Sequence, residues 1–458
     1  MAPAGSSLPP QLRVLDTTLV APGAPALPPR SIPLTFFDVK WFHTPPVERV
    51  FLYRLPPDAD VAAILSALRT SLSQALRAFY PLAGHVRLAN KRHEILYRPG
   101  DAVPFTTTEY DVDVDDLASD DPVRVATVAP LVPQLPKGRA VLAVQATLLL
   151  RGLAVGVTVH HSACDGASST HFLHTWAAAA TACAGAVDDH HQPSPPPPVI
   201  DRALIPDPRG LYGIYLKSLP PMISDDGFEF VSKAPSSFED KLVATFTLPQ
   251  NLLVSIKAAV AGEAARRGIT SRLGARRYSP RTTPRRKTSY FLFSVDQRPR
   301  LKPAIPGTYF GNCLCPAIAT APEEEVAAAG IGGLFAACAA VAAAVEEEVR
   351  EGAQDRWDAC VDRVKEAVTH GTLSVSGSPR FHVFDVDFGL GRSAKVAIVS
   401  AAKGAGAMPV AEARGGGGGV EVGVSLPAAA GDMERFQKSF ADGIAWLGLL
   451  VHQSSNGC

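Results

Sequence analysis

Four consecutive prolines divide this chain of 458 residues and limit how it can fold. They close the segment DDHHQPSPPPP at residues 188–198. Proline lacks the amide hydrogen that a helix or an inner strand needs, so a run of prolines favours an extended, semi-rigid connector. We therefore expect two domains, residues 1–187 and 206–458, joined by a crossover linker at 188–205.

Both sides of this connector mix helical and strand-like patterns. Residues 61–79 carry apolar side chains at helical spacing, and residues 141–159 form two apolar, strand-like runs that are interrupted near Arg151. After the connector, residues 243–248 are strand-like and residues 252–266 are helical. The pattern predicts an α/β protein with mixed sheets.

Composition excludes several functional classes. The counts of basic and acidic residues are equal, 44 and 44, so no net charge draws the chain to nucleic acid or to an anionic membrane. The uncharged stretch 326–345 is rich in alanine and glycine and is flanked by glutamates, which favours a soluble helix over a membrane span. The seven scattered cysteines and the lack of a secretory leader indicate reduced thiols in a cytoplasmic protein.

The densest polar cluster is HHSACDG at residues 160–166, directly after an apolar strand-like run. A histidine with a near-neutral pKa can act as a general base. His161 is the candidate base, Asp165 can organise the loop, and Gly166 lets the chain turn tightly.

Other interpretations of this cluster remain open from the residues alone. His160, His161, Asp165, His171 and His174 are all of metal-ligand types, although their spacing matches no metal motif. The histidines can also be structural, and Cys164 is a potential nucleophile.

Several ordered motifs resemble the plant BAHD acyltransferases, whose hallmark is HxxxD followed by glycine, here His161 to Gly166. The second hallmark, DFGWG, appears as DFGLG, formed by Asp387, Phe388, Gly389, Leu390 and Gly391. YFGNC at 309–313 resembles the clade that acylates flavonoid and phenolic glycosides, often with malonyl groups. Further matches are PLTFFD at 33–38, FYPLAG at 79–84 and PLVPQLP at 130–136.

The resemblance implies two similar chloramphenicol-acetyltransferase-like α/β domains with a solvent channel between them. It implies that His161 is the general base at the channel centre, while Asp165 is structural and pairs with Arg298. The DFGLG residues would shape the fold, and Ser376 would lie near the tetrahedral intermediate.

The function implied is transfer of an acyl group, with malonyl expected, from coenzyme A to a sugar hydroxyl of a flavonoid or phenolic glycoside. The protein would be a monomer that binds only small-molecule substrates, with acyl-CoA as co-substrate and no bound cofactor or metal. The alternatives are a catalytically impaired relative, or the same fold using another donor such as a hydroxycinnamoyl-CoA.

Two departures from the family pattern motivate the impaired alternative. Leu390 replaces the usual tryptophan, and an arginine-rich stretch at 271–287 replaces an expected apolar helix. This stretch can be a solvated basic loop, a patch for CoA phosphates, or a frame-altered version of the lost helix. The last is favoured because the family pattern resumes at Phe291.

Overall fold

The computed structural model describes residues 11–137, 140–183, 195–219, 240–269, 287–350, 352–404 and 406–455. The arginine-rich stretch at 271–287 lies outside these residues except for Lys287, so its three interpretations remain expectations. The first residues of the expected connector, 188–194, are outside them as well.

The strands in chain order are β1 (Leu12–Val20), β2 (Arg30–Pro33), β3 (Val47–Arg54), β4 (His85–Ala89), β5 (Arg92–Tyr97), β6 (Val103–Asp113), β7 (Val123–Arg124), β8 (Leu142–Leu150), β9 (Gly152–Val159), β10 (Lys241–Leu248), β11 (Thr288–Asp296), β12 (Leu314–Pro322), β13 (Leu373–Gly377), β14 (Lys395–Ile398), β15 (Ala407–Glu412) and β16 (Val420–Pro427). The α-helices are α1 (Phe36–Val39), α2 (Val61–Ala78), α3 (Val114–Ala118), α4 (Val125–Val128), α5 (Gly166–Cys183), α6 (Leu211–Ser218), α7 (Gln250–Arg266), α8 (Glu323–Val326), α9 (Ile331–Val349), α10 (Cys360–Thr369), α11 (Val399–Lys403) and α12 (Asp432–Ser455).

These strands form two large mixed sheets and one small sheet. The first sheet has the order β1-β6-β8-β9-β3-β14, and the second has the order β12-β11-β13-β15-β16-β10-β7. The pairs β6–β8, β11–β13 and β13–β15 are parallel, while the other neighbours are antiparallel. The small sheet has the order β2-β5-β4. The prediction of an α/β protein with mixed sheets is confirmed.

The two halves of the chain exchange strands. β14 comes late in the sequence but pairs with β3 at the edge of the first sheet, and β7 comes early but pairs with β10 at the edge of the second. Each large sheet is therefore completed by residues from the other half. The sheets are coupled through backbone hydrogen bonds as well as through side-chain packing.

The main hydrophobic core lies between the first sheet and the helices α2 and α5. Asp60 caps the N-terminus of helix α2, and its carboxylate accepts a hydrogen bond from the amide of Ala63. The helix buries Leu65, Leu68, Leu72 and Leu76. The helix predicted at 61–79 is thus confirmed, as are the two strands expected within 141–159. Arg151 separates those strands in a left-handed conformation, with φ at 59°.

The alanine-rich stretch forms helix α9. No described helix combines the length and the apolarity that crossing a membrane requires.

Candidate active site

The HxxxD segment lies between a buried strand and a buried helix. Every residue of β9 is buried, and the chain leaves this strand through residues 160–165 before α5 begins. The amide of His160 donates to the carbonyl of Val141 at 2.8 Å, and the amide of Ala163 donates to the carbonyl of His160 at 2.9 Å. These bonds fix the loop against β8, so the side chain of His161 projects from a rigid backbone.

The imidazole of His161 is partly buried and stacks on Trp41. The two ring centroids are 4.1 Å apart, and the planes differ by 5°. Among the described residues, the buried Nδ1 atom has no hydrogen-bond partner. Burial lowers the pKa of His161, a shift that the nearby Asp165 carboxylate opposes and that the cation of Lys40 reinforces. Burial therefore favours the neutral form of the ring, which is the form that a general base requires.

Asp165 points away from this ring and forms a buried ion pair with Arg298. Arg298 Nη2 is 2.9 Å from Asp165 Oδ2, and the two side chains are 3% and 0% exposed. Burial alone would lower the pKa of Arg298, but the carboxylates of Asp165 and Asp296 outweigh that effect and raise it. The partner that the family resemblance implied for Asp165 is thus its partner in the structure.

The same carboxylate organises two backbone segments. Asp165 Oδ1 accepts from the amide of Ser168 at 3.0 Å, which caps the start of α5, and Oδ2 accepts from the amide of Cys313 at 3.0 Å. Arg298 Nη2 in turn donates to the carbonyl of Gly311 at 3.0 Å. The ion pair therefore ties the loop that bears His161 to the YFGNC segment.

A second buried ion pair, between Arg202 and Asp38, also contacts the YFGNC segment and was not predicted from the sequence. Arg202 Nε lies 3.2 Å from Asp38 Oδ2, and Arg202 Nη2 donates to the carbonyl of Ala163 at 3.2 Å. Asp38 Oδ1 accepts from both the backbone amide and the side-chain amide of Asn312. Asn312 Nδ2 also donates to the carbonyl of His161 at 3.0 Å. A continuous chain of polar contacts thus runs from Arg202 to the candidate base.

Other histidines of the cluster have separate partners. His171 Nε2 is 2.7 Å from the carbonyl of Pro196, His174 Nε2 is 3.1 Å from the carbonyl of Phe381, and His160 Nδ1 is 2.9 Å from Ser162 Oγ. Within the described part of the chain, no three potential ligands are grouped to hold a metal ion. The geometry does not favour the metal interpretation.

Cys164 is a buried thiol rather than a reactive one. Its side chain is 2% exposed, and burial raises the pKa of the thiol far above its ordinary value. A thiol held in the neutral form is a poor nucleophile, which argues against the covalent alternative.

Gly166 lies where a larger residue would collide with a neighbouring ring. It is the first residue of α5, and a Cβ atom there would lie 2.8 Å from the ring of Phe381. Its backbone is helical, and it is not among the glycines with positive φ.

Phe381 also lines a cavity between the two large sheets. The cavity is lined by apolar residues of both sheets, with Arg49, Lys395 and Glu421 among its polar groups. His161 is not among the residues that line it. Ser376 lies in β13, next to the lining residue Gly377, and its buried hydroxyl has no hydrogen-bond partner among the described residues. The structure gives no direct contact between Ser376 and His161.

The DFGLG motif packs against the first core. Asp387 Oδ1 accepts from the amides of Gly389 and Leu390, each at 2.8 Å, and thereby closes a tight turn. Phe388 is buried with its ring centroid 4.5 Å from that of Trp176. Gly389 and Gly391 have φ of 81° and 79°, conformations that favour glycine. Leu390 is partly buried against the same core. The contacts of the motif are structural and lie away from His161.

Comparisons with known proteins agree with this architecture. Residues 11–194 and 274–442 match the model of the Transferase family. The chain is 32% identical to phenolic glucoside malonyltransferase 1 of Arabidopsis thaliana, over 91% of this chain and 94% of that protein. It is 27% identical to the malonyl-coenzyme A:anthocyanin 3-O-glucoside-6''-O-malonyltransferase of Dahlia pinnata, over 95% and 98% of the two chains.

Among solved structures, the crystal structure of vinorine synthase is similar in fold. It aligns with a TM-score of 0.64 at 18% identity and covers 91% of this chain and 95% of that one.

Proposed function

Since this chain belongs to the Transferase family, the BAHD acyltransferases, we propose that it transfers a malonyl group from malonyl-CoA to a sugar hydroxyl of a phenolic or flavonoid glucoside. The names of its relatives from Arabidopsis thaliana and Dahlia pinnata support both the donor and the acceptor class. The observation that carries the proposal is the imidazole of His161, which stacks on Trp41 and projects from a backbone held by Asn312.

In the proposed mechanism, the acceptor hydroxyl donates a hydrogen bond to His161 Nε2. The imidazole takes the proton as the hydroxyl oxygen attacks the thioester carbonyl carbon. The tetrahedral intermediate collapses, the carbon–sulfur bond breaks, and the CoA thiolate takes the proton back from the imidazolium. No covalent enzyme intermediate is involved, which agrees with the burial of Cys164.

The other site residues position the reacting groups and do not transfer protons. Asp165, Gly166 and Arg298 hold the loop, and Asp387, Phe388, Gly389 and Gly391 maintain the surrounding fold. Ser376 is proposed to donate to the intermediate, supported by its buried and unpartnered hydroxyl beside the cavity.

The proposal is tested with purified protein, malonyl-CoA and a panel of phenolic and flavonoid glucosides, by following free CoA thiol and identifying the product by mass spectrometry. His161→Ala should lose turnover but keep CoA binding, while the control His85→Ala, at a partly exposed histidine in the small sheet, should keep both.

Near-full turnover by His161→Ala would show that another group is the base. A folded wild-type protein without turnover on any glucoside would instead favour the catalytically impaired alternative. Turnover with a hydroxycinnamoyl-CoA in preference to malonyl-CoA would reassign the donor.

We further propose that the chain forms two acyltransferase domains, residues 1–187 and 206–458. We also propose that the protein is a monomer and lies in the cytoplasm. The free thiols of the described cysteines, four of them buried, support a reducing compartment. Light scattering during size-exclusion chromatography measures the oligomeric state, and a fluorescent fusion reports the compartment.

A further inference from the structure

Lys40 is a partly buried lysine beside the proposed base. It follows helix α1, and its ammonium group donates to the carbonyl of Leu314. Lys40 Nζ lies 5.3 Å from the ring centroid of Phe37 and 5.6 Å from that of Trp41. Two aromatic rings and one backbone carbonyl therefore hold the ammonium group in place.

Trp41 connects this cation to the catalytic histidine. The indole ring that contacts the ammonium group also stacks on the imidazole of His161, with 4.1 Å between the centroids. The two distances place Lys40 Nζ at most about 9.7 Å from the imidazole centroid. A substrate whose reacting atoms lie against His161 is thus within reach of the ammonium group through a short acyl chain.

The ammonium group lacks a counter-charge in the described part of the chain. No carboxylate there lies within ion-pairing distance of Lys40 Nζ, and the nearby Asp38 is already engaged by Arg202, Thr35 and Asn312. Taking a cation partly out of water without an anionic partner costs free energy. An arrangement of this kind beside a reaction centre suits an anionic ligand.

We propose that Lys40 binds the free carboxylate of a dicarboxylic acyl donor and so selects malonyl-CoA over neutral acyl-CoA donors. The inference rests on the proposed function, because it assigns a recognition residue within that site. In a malonyl thioester, one methylene separates the carboxylate from the carbonyl carbon that the acceptor attacks. With that carbon beside His161, the carboxylate extends past Trp41 to Lys40, where an ion pair orients the acyl group for attack.

The test compares wild type with Lys40→Met, Lys40→Arg and the control Lys257→Met, at an exposed lysine of α7. For each protein, kcat/KM is measured with malonyl-CoA and with acetyl-CoA on one glucoside acceptor. Lys40→Met should lose roughly 30-fold or more with malonyl-CoA and less than about threefold with acetyl-CoA, as expected for removal of a charge-assisted contact. Lys40→Arg should keep most of the malonyl preference, and Lys257→Met should match wild type.

A parallel binding measurement keeps the inference separate from the proposed function. Calorimetric titration with malonyl-CoA and acetyl-CoA requires no turnover, so the loss of malonyl discrimination in Lys40→Met is visible even if the wild type is inactive. Equal losses for both donors would make Lys40 a structural residue and overturn the inference. An unchanged malonyl preference in a folded Lys40→Met protein would also overturn it, since the cation would then lie elsewhere.

Discussion

Replacing Arg298 by methionine should destabilise the protein more than almost any surface substitution. The change removes the guanidinium but keeps much of the side-chain volume, and it leaves the Asp165 carboxylate fully buried. The amides of Ser168 and Cys313 still donate to that carboxylate, so part of its compensation remains. Removal of one partner from a buried ion pair costs about 3–5 kcal/mol, and we expect a loss in this range.

The assay is urea unfolding followed by tryptophan fluorescence, with Lys438→Met as the matched control. Lys438 pairs with Asp442 at 2.8 Å, but its side chain is 79% exposed, so its loss should leave the unfolding midpoint unchanged. The double variant Arg298→Met/Asp165→Asn removes both charges of the buried pair. Its loss of unfolding free energy should be smaller than the sum of the losses in the two single variants, by about 1 kcal/mol or more.

The result that would refute this reasoning is a small effect. If Arg298→Met lost less than about 1 kcal/mol, the carboxylate of Asp165 would not need its charged partner. Additive losses in the double variant would lead to the same conclusion.

Three further changes test the surroundings of the site. Trp41→Leu exposes the ring of His161 to water, so the pKa of His161, which burial lowers, should rise towards 6.5. The acid limb of the pH profile of kcat/KM should then move to higher pH, and an unmoved limb would contradict this. Asn312→Leu removes the donor to the His161 carbonyl and should lower kcat about tenfold to hundredfold at unchanged CoA affinity, measured by steady-state kinetics. Burial lowers the pKa of Lys395 from 10.5 to about 8, so the folded protein loses this proton first on raising the pH. The free energy of unfolding should therefore gain up to about 3 kcal/mol between pH 8 and 10.5, and Lys395→Met should remove that gain in urea titrations.

Local patterns allowed much of the fold to be predicted. The helical spacing within 61–79 and the apolar runs within 141–159 correspond to α2, β8 and β9, because burial of one face or of a whole strand leaves a periodic signal. The strand-like pattern at 243–248 and the helical pattern at 252–266 likewise correspond to β10 and α7.

Contacts between distant segments left no such signal. The pairs Arg202–Asp38 and Trp41–His161 join residues far apart in sequence, and single side chains carry no periodicity. The strand β7 has only two residues, too few for an alternating pattern to predict it. The connector was expected only to join the domains, yet its described end includes Arg202, which contacts the loop of His161.

The exchanged strands also bear on the biosynthesis of the protein. While the chain emerges from the ribosome, the first sheet can assemble from β1, β3, β6, β8 and β9, but β3 remains an open edge until β14 has been made. An unpaired edge strand is a template for pairing with other chains, so this interval exposes the nascent protein to aggregation. Expression should therefore respond strongly to chaperones that cover such an edge. Gene fragments that stop before β14 should give insoluble product even though they encode the whole HxxxD segment.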